Sequence, residues 1–280
     1  MSLSLPDLHL NEDERLYLML DGARIPALER TLFEVADSPA YQPLYLYAPW
    51  DALREVTPCL VEASAPLLSW FQKPPANGGW LLASTLPLLP LADQLRQLIE
   101  VESPYGSRIL LKLAAPDTMA CLMVDADPWL WRGIAQVWLP TRAGWQHWQA
   151  KAALAEPMGD KFIITDAQWG RLGELSWQNQ LDAAYCHMQA WFPARLSAQR
   201  DPPAWIAHWA KQAYQLGFQT ERDLLLFFNV LGFVGEGWWE GHDYPILTQW
   251  LTIPSAQTPS QRVALAASWA EQHALPQELT

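Results

Sequence analysis

The chain has 280 residues, half of them apolar, with 30 acidic against 18 basic side chains and a formal charge of −12. That length suits one large domain or two modest ones, and the acidity argues against a nucleic-acid partner, because phosphate binding needs a basic surface that displaces counterions. A basic protein or an apolar surface suits it better, and the 17 tryptophans must fill cores or mark contact surfaces, because indole is costly to leave in water.

The opening residues MSLSLPDLHLNEDER carry neither a basic stretch nor an unbroken apolar run, so the sequence predicts no secretory signal. The longest apolar run, Leu224 to Val234, is interrupted by Asn229 and falls well short of the ~20 residues of a membrane span. A cytoplasmic protein without a membrane partner is the expectation. Cys59, Cys121 and Cys186 are odd in number, far apart and without C-x-x-C spacing, which reads as buried free thiols.

From Glu14 to Pro26 the chain reads ERLYLMLDGARIP. Leu16 to Leu20 is too short an apolar run for a buried helix, and Asp21-Gly22 supplies the break that stops it. Pro26 then suits the first turn of a helix that puts Leu28, Leu32, Val35 and Ala36 on one face. Further strand candidates are 43–47, 59–63, 79–84 and 107–113, and helical patterns occupy 26–36, 64–71 and 87–99. The alternation predicts an α/β lobe over residues 1–155, a mixed or parallel sheet with covering helices. From Lys161 the punctuation is that of helices. Thr165 with Gln168 forms a capping box, Asp201-Pro202 opens a second helix that Gly217 closes, and Thr220 precedes a third that is apolar nearly all round. Thr258-Pro259-Ser260-Gln261 starts another. Residues 156–280 therefore read as an all-α lobe.

Taken in order, the segments LYLMLDGARIP, PLYLY, TPCLVEAS, GGWLLASTLPLLPLADQLRQLIEV and GSRILLKLAAP resemble the adaptor (chaperone) domain of bacterial type VI secretion effectors. The helical tail, with Gly217 followed by Thr220-Glu221-Arg222-Asp223, is similar to the tail these proteins carry. The resemblance implies a cytoplasmic adaptor, without catalysis, cofactor or metal, that binds a cognate toxic effector and helps load it onto a VgrG-type spike, a transient second partner. It marks Asp21, Gly22, Pro26, Pro58, Trp80, Arg96 and Lys112 as structural positions of the family pattern. Where the family usually has an arginine-bearing strand leading to Asp-Pro, this chain has Lys112 and then Pro116-Asp117, and lysine lacks the planar fork that grips a carboxylate in two places. Arg96 matches the pattern and reads either as a solvated helix-face charge or as a joint between helix and sheet.

No G-x-S-x-G, H-E-x-x-H, P-loop or G-x-G-x-x-G motif occurs in the sequence, so none of these reaction classes is signalled. Cys186-His187 looks most like a nucleophile and base, but adjacent residues on a helix point about 100° apart. His242-Asp243, in GEGWWEGHDYP, is the best acid–base or metal candidate and has no third ligand spaced to join it. A cryptic hydrolase near His242 is one alternative to the adaptor. A carbohydrate-binding module whose tryptophans stack on sugar rings is another.

Trp129, Trp131, Trp138, Trp145 and Trp148 fall within twenty residues. Trp129 and Trp131 would share a face of an extended segment, and the cluster reads either as an aromatic seam between lobes or as a partner groove. Trp238 and Trp239 lie among Gly235, Gly237 and Gly241, which predicts an exposed contact loop.

Overall fold

The computed structural model describes residues 4–74, 78–151, 157, 159–239 and 243–274. The chain divides into two units between Gly173 and Glu174; the boundary expected between residues 155 and 156 lies outside the described residues.

In the first unit, β1 (Arg15–Leu20) sends Tyr17 and Met19 into one core and Leu18 and Leu20 into another. Alternate side chains of a strand leave opposite faces, so a run that is apolar at every position marks a strand covered on both sides. β4 (Trp80–Ser84) repeats the division, Trp80 and Leu82 against Leu81 and Ala83. With β2 (Tyr41–Pro43), β3 (Cys59–Glu62), β7 (Gln136–Thr141) and β8 (Gly144–Gln149) they form a six-stranded sheet of order β2-β3-β1-β4-β7-β8. One face is covered by Leu28 and Leu32 of α1 (Leu28–Val35) and by Leu67 and Phe71 of α2 (Ala65–Phe71). Leu91 and Leu95 of α3 (Leu88–Arg96), Met119 and Leu122 of α4 (Pro116–Met123) and Leu130 of α5 (Pro128–Trp131) cover the other.

The sheet-then-helix order is the one the sequence predicts, but every pairing in this sheet is antiparallel rather than mixed or parallel. The reason lies in strand order. β3 and β4, joined through α2, both pair antiparallel to β1 and so share a direction, yet they lie on either side of β1. A helical crossover that skips one strand leaves the skipped strand running the other way. In place of the predicted strand at 43–47 stands β2 at Tyr41–Pro43, which overlaps it only at Pro43, and the one at 107–113 shortens to β6 (Arg108–Leu110), which pairs with β5 (Glu100–Glu102) in a separate two-stranded sheet. The β7–β8 hairpin has no counterpart among the predicted elements.

The Asp21-Gly22 break forms as expected. The Asp21 carbonyl accepts from the Arg24 and Ile25 amides, and its carboxylate accepts from the Ala23 amide at 2.9 Å. A Cβ on Gly22 would stand 2.3 Å from the Thr57 carbonyl oxygen, so the position requires glycine for close approach. The helix that follows starts at Leu28 rather than Pro26. Pro26 stays in the preceding turn, and Ala27 takes a left-handed φ of 49° between them.

Among the described residues the second unit is helical. It contains most of α6 (Asp166–Trp191), then α7 (Pro193–Ser197), α8 (Pro202–Gln215), α9 (Glu221–Val234), α10 (Pro245–Thr252) and α11 (Pro259–His273). The caps sit where the sequence puts them. The Asp201 carboxylate accepts from the Ala204 amide at 3.1 Å, the Thr220 hydroxyl from the Asp223 amide at 3.1 Å, and Thr258 and Gln261 cap each other's amides, satisfying first-turn donors that have no partner within the helix. Thr165 and Gln168 do the same at the start of α6. Leu224, Phe227, Phe228, Val230, Leu231 and Val234 of α9 are buried, which makes this helix the centre of the unit's core. Arg262 is buried beside it. Its Nη1 donates to the carbonyls of Trp250, Leu251 and Ile253 at 3.2–3.3 Å and its Nη2 to that of Leu216 at 3.4 Å, so one guanidinium serves the ends of both α10 and α8.

Candidate functional site

Among the described residues, those with catalytic potential do not assemble. Cys186 is exposed on α6, while the neighbouring His187 turns its Nε2 to Asn229 Oδ1 on α9 at 2.6 Å. Cys59 is buried, and that burial pushes its thiol well above the ordinary range, the reverse of what a nucleophile needs. His242 lies outside the described residues. Among the described residues no group of three or more His, Cys, Asp and Glu could hold a metal ion, and no helix is long and apolar enough to cross a membrane.

The tryptophans separate by depth. Trp129 and Trp131 belong to the short helix α5, capped by the Asp127 carboxylate on the Trp129 amide at 2.9 Å, and not to an extended segment. Trp131 is buried and donates its Nε1 to the Met123 carbonyl at 3.2 Å. Trp138, on β7, is also core, stacked on the His147 ring of β8 at 4.8 Å. The predicted exposed loop at Trp238-Trp239 is corrected by the structure. Trp238 has no exposed surface and packs against Phe227 and Trp209, while Trp239 is half-buried with its ring edge-on to both Trp209 and Trp238. Gly235, at φ 73°, gives the chain the left-handed turn that ends α9 ahead of these rings.

Trp129, Trp145 and Trp148 are also half-open, and β8 places the last two on opposite faces. Trp145 donates to the Ser4 carbonyl at 2.8 Å, and Gln136 on the same face donates to the His9 carbonyl at 2.9 Å, so the N-terminal residues cover that side. On the other side Trp148 borders an open groove of about 530 Å³. One wall is Met123, Val124, Ala126 and Trp131; the other is the outer margin of β8, at His147, Trp148 and Gln149, with Lys151 at its end. The acids that flank Ala126 are engaged elsewhere. Asp125 pairs with Arg171, and Asp127 caps α5 with a carboxyl that burial holds above the usual range. In a chain of charge −12, the described residues that line the groove include no carboxylate and one lysine.

The positions of the family pattern differ in their settings. Trp80 is fully buried and donates its Nε1 to the Leu113 carbonyl at 2.8 Å. The Pro58 carbonyl accepts from the Leu44 amide at 2.9 Å. Arg96 joins helix to sheet: from the end of α3 it donates to Gln42 Oε1 and to the Pro43 carbonyl on β2, pairs with Asp93, and lies over the Tyr47 ring. Lys112 is exposed.

These features have relatives. The family profile described as "Domain of unknown function (DUF4123)" matches residues 16–133, from β1 through α5. This match, together with the identity to a curated relative, shows that the chain belongs to this family, the type VI secretion adaptor family that its N-terminal segments resemble. The chain is 41% identical over 270 residues, 96% of its own length and 92% of the relative's, to the "Accessory protein VasW" of Vibrio cholerae serotype O1 (strain ATCC 39315 / El Tor Inaba N16961). No solved structure matches it.

Proposed function

We propose that this chain is a cytoplasmic adaptor of type VI secretion that carries out no catalysis, binds a cognate effector and promotes its loading onto a VgrG-type spike. The observation that carries the reading is the 41% identity to a protein named as an accessory protein, which runs through both units rather than one. The open, weakly charged groove beside Trp148 supports it, because a partner surface needs accessible apolar area with few charges to desolvate. The spike contact is transient, as delivery requires release.

Co-expression with the effector encoded beside the chain's own gene tests the reading. A stable complex is expected on gel filtration, with a melting midpoint above that of the free chain, since a ligand at a hundredfold excess over Kd adds about 2.7 kcal/mol to the native state. Neither complex nor shift would overturn it. Hydrolysis or glycan binding by the free chain, with no protein complex, would favour the enzyme or carbohydrate alternatives.

A further inference from the structure

The two margins of the six-stranded sheet are built differently. β2 is three residues long and ends in Pro43, whose nitrogen carries no proton and whose carbonyl is taken by Arg96. That margin is closed in the ways that sheet proteins close edges: a short strand, a proline and a charged side chain across it. β8 is six residues long, GWQHWQ, with no proline and no charge. Among the described residues β7 is the only strand that pairs with it.

The register says which of its backbone groups are open. Ala150 donates its amide to the Ala135 carbonyl at 2.7 Å, and Trp148, Gln146 and Gly144 stand opposite Val137, Leu139 and Thr141. Closely bonded pairs alternate along an antiparallel ladder, so these are the bonded positions. Trp145, His147 and Gln149 then turn their N–H and C=O outward. Pro140, opposite Trp145, fits this phase, since it could not donate within a bonded pair.

We propose that β8 is the site at which an extended segment of the effector adds to the sheet as a seventh strand. The inference rests on the adaptor reading and says how the partner is held. Backbone groups of the segment pair with Trp145, His147 and Gln149, and its alternate side chains enter the groove between Trp148 and the Met123–Val124 wall, the division of labour of strand addition. The groove's charge sets the partner's chemistry. Among the described residues it has no carboxylate to meet a basic residue and one lysine to meet an acidic one, so the segment is apolar at alternate positions and neutral or acidic, not basic. A second copy of this chain would bring its own uncharged β8 and has no acid within GWQHWQ to set against Lys151.

Hydrogen exchange on the wild-type complex with the co-expressed effector is the test. The amides of Trp145, His147 and Gln149 should slow by about tenfold or more on complex formation, as expected for newly bonded groups. The variant Gln149→Pro removes an outward N–H without touching the β7 ladder, and Gln149→Ala removes the same side chain while keeping the N–H. The proline variant should bind the effector about tenfold more weakly than the alanine variant, equivalent to 1.4 kcal/mol. If a complex forms while these amides exchange as in the free chain, or if the two variants bind alike, strand addition is wrong and the adaptor reading stands. Slowing that appears with rising concentration of the chain alone assigns the edge to a second copy and also overturns the proposal. No complex at all overturns the adaptor reading, and this inference with it. The exchange measurement uses the wild-type protein, so misfolding of the proline variant leaves it decisive.

Discussion

The sheet unit and the helical unit each bury large indoles, but they fix them by different means. In the sheet unit the buried Trp80 and Trp131 each donate to a backbone carbonyl, of Leu113 and Met123 respectively. In the helical unit Trp238 is equally buried, and among the described residues its Nε1 has no hydrogen-bond partner; it is surrounded by the rings of Trp209, Phe227 and Trp239. A directional bond orients one ring, whereas mutual packing orients the other. The same residue type therefore answers to different physics in the two halves of one chain.

The largest effects test whether both rings are core. Trp80→Ala and Trp238→Ala should each lower stability by ~3–5 kcal/mol, the usual result of emptying an aromatic site, read as a fall in the melting midpoint. A Trp238→Ala protein of unchanged stability would contradict its burial. Substitution by phenylalanine separates the two mechanisms at smaller cost. Trp80→Phe leaves the Leu113 carbonyl without its donor, and a stranded buried acceptor costs about 1–3 kcal/mol, while Trp238→Phe removes a donor that had no partner and should cost less. Equal urea midpoints for the two phenylalanine variants would erase the distinction between the units.

The smallest effect belongs to the sheet unit alone and depends on pH. Hydrogen bonds from Arg54, with a further one from the Tyr41 hydroxyl, hold the Glu29 carboxyl below its ordinary range. Because the folded pKa lies under the unfolded one, the stabilisation is complete above the unfolded value, roughly 4.3, and is lost as pH falls through the folded value. The pair is partly exposed, so screening keeps the effect small. Arg54→Ala should flatten the acid side of the stability–pH curve, and an unchanged curve would remove this contribution.

What the sequence disclosed follows from the range of the forces involved. Helix starts in the second unit were legible because a cap is decided within four residues, and Asp201, Thr220 and the Thr258–Gln261 pair make the bonds their spacing suggests. Strand direction was not, because the position of β1 between β3 and β4 depends on residues 61 to 69 positions apart, along the ladder that runs from Met19–Trp80 to Arg15–Ser84. The β7–β8 hairpin did leave a local signal, a two-residue break at Arg142-Ala143 with Gly144 at φ 105°, but the tryptophans on either side of it also fit a contact cluster. Proline at 128 and aspartate at 127 were the sign that Trp129 and Trp131 begin a helix. For Trp238 the glycines suggested exposure, yet burial of a ring is settled by what the other helices present to it.

Arg262 has one more consequence, for the order in which the helical unit comes apart. Its guanidinium holds carbonyls contributed by the ends of α8 and α10 while its own backbone lies in α11. Helix ends normally fray independently, each at a low free energy of opening. Here the end of α10 cannot loosen without stripping a buried cation of three of its four carbonyls, so that end and the first turn of α11 open together, while the end of α8, which gives the fourth carbonyl, is tied to them more weakly.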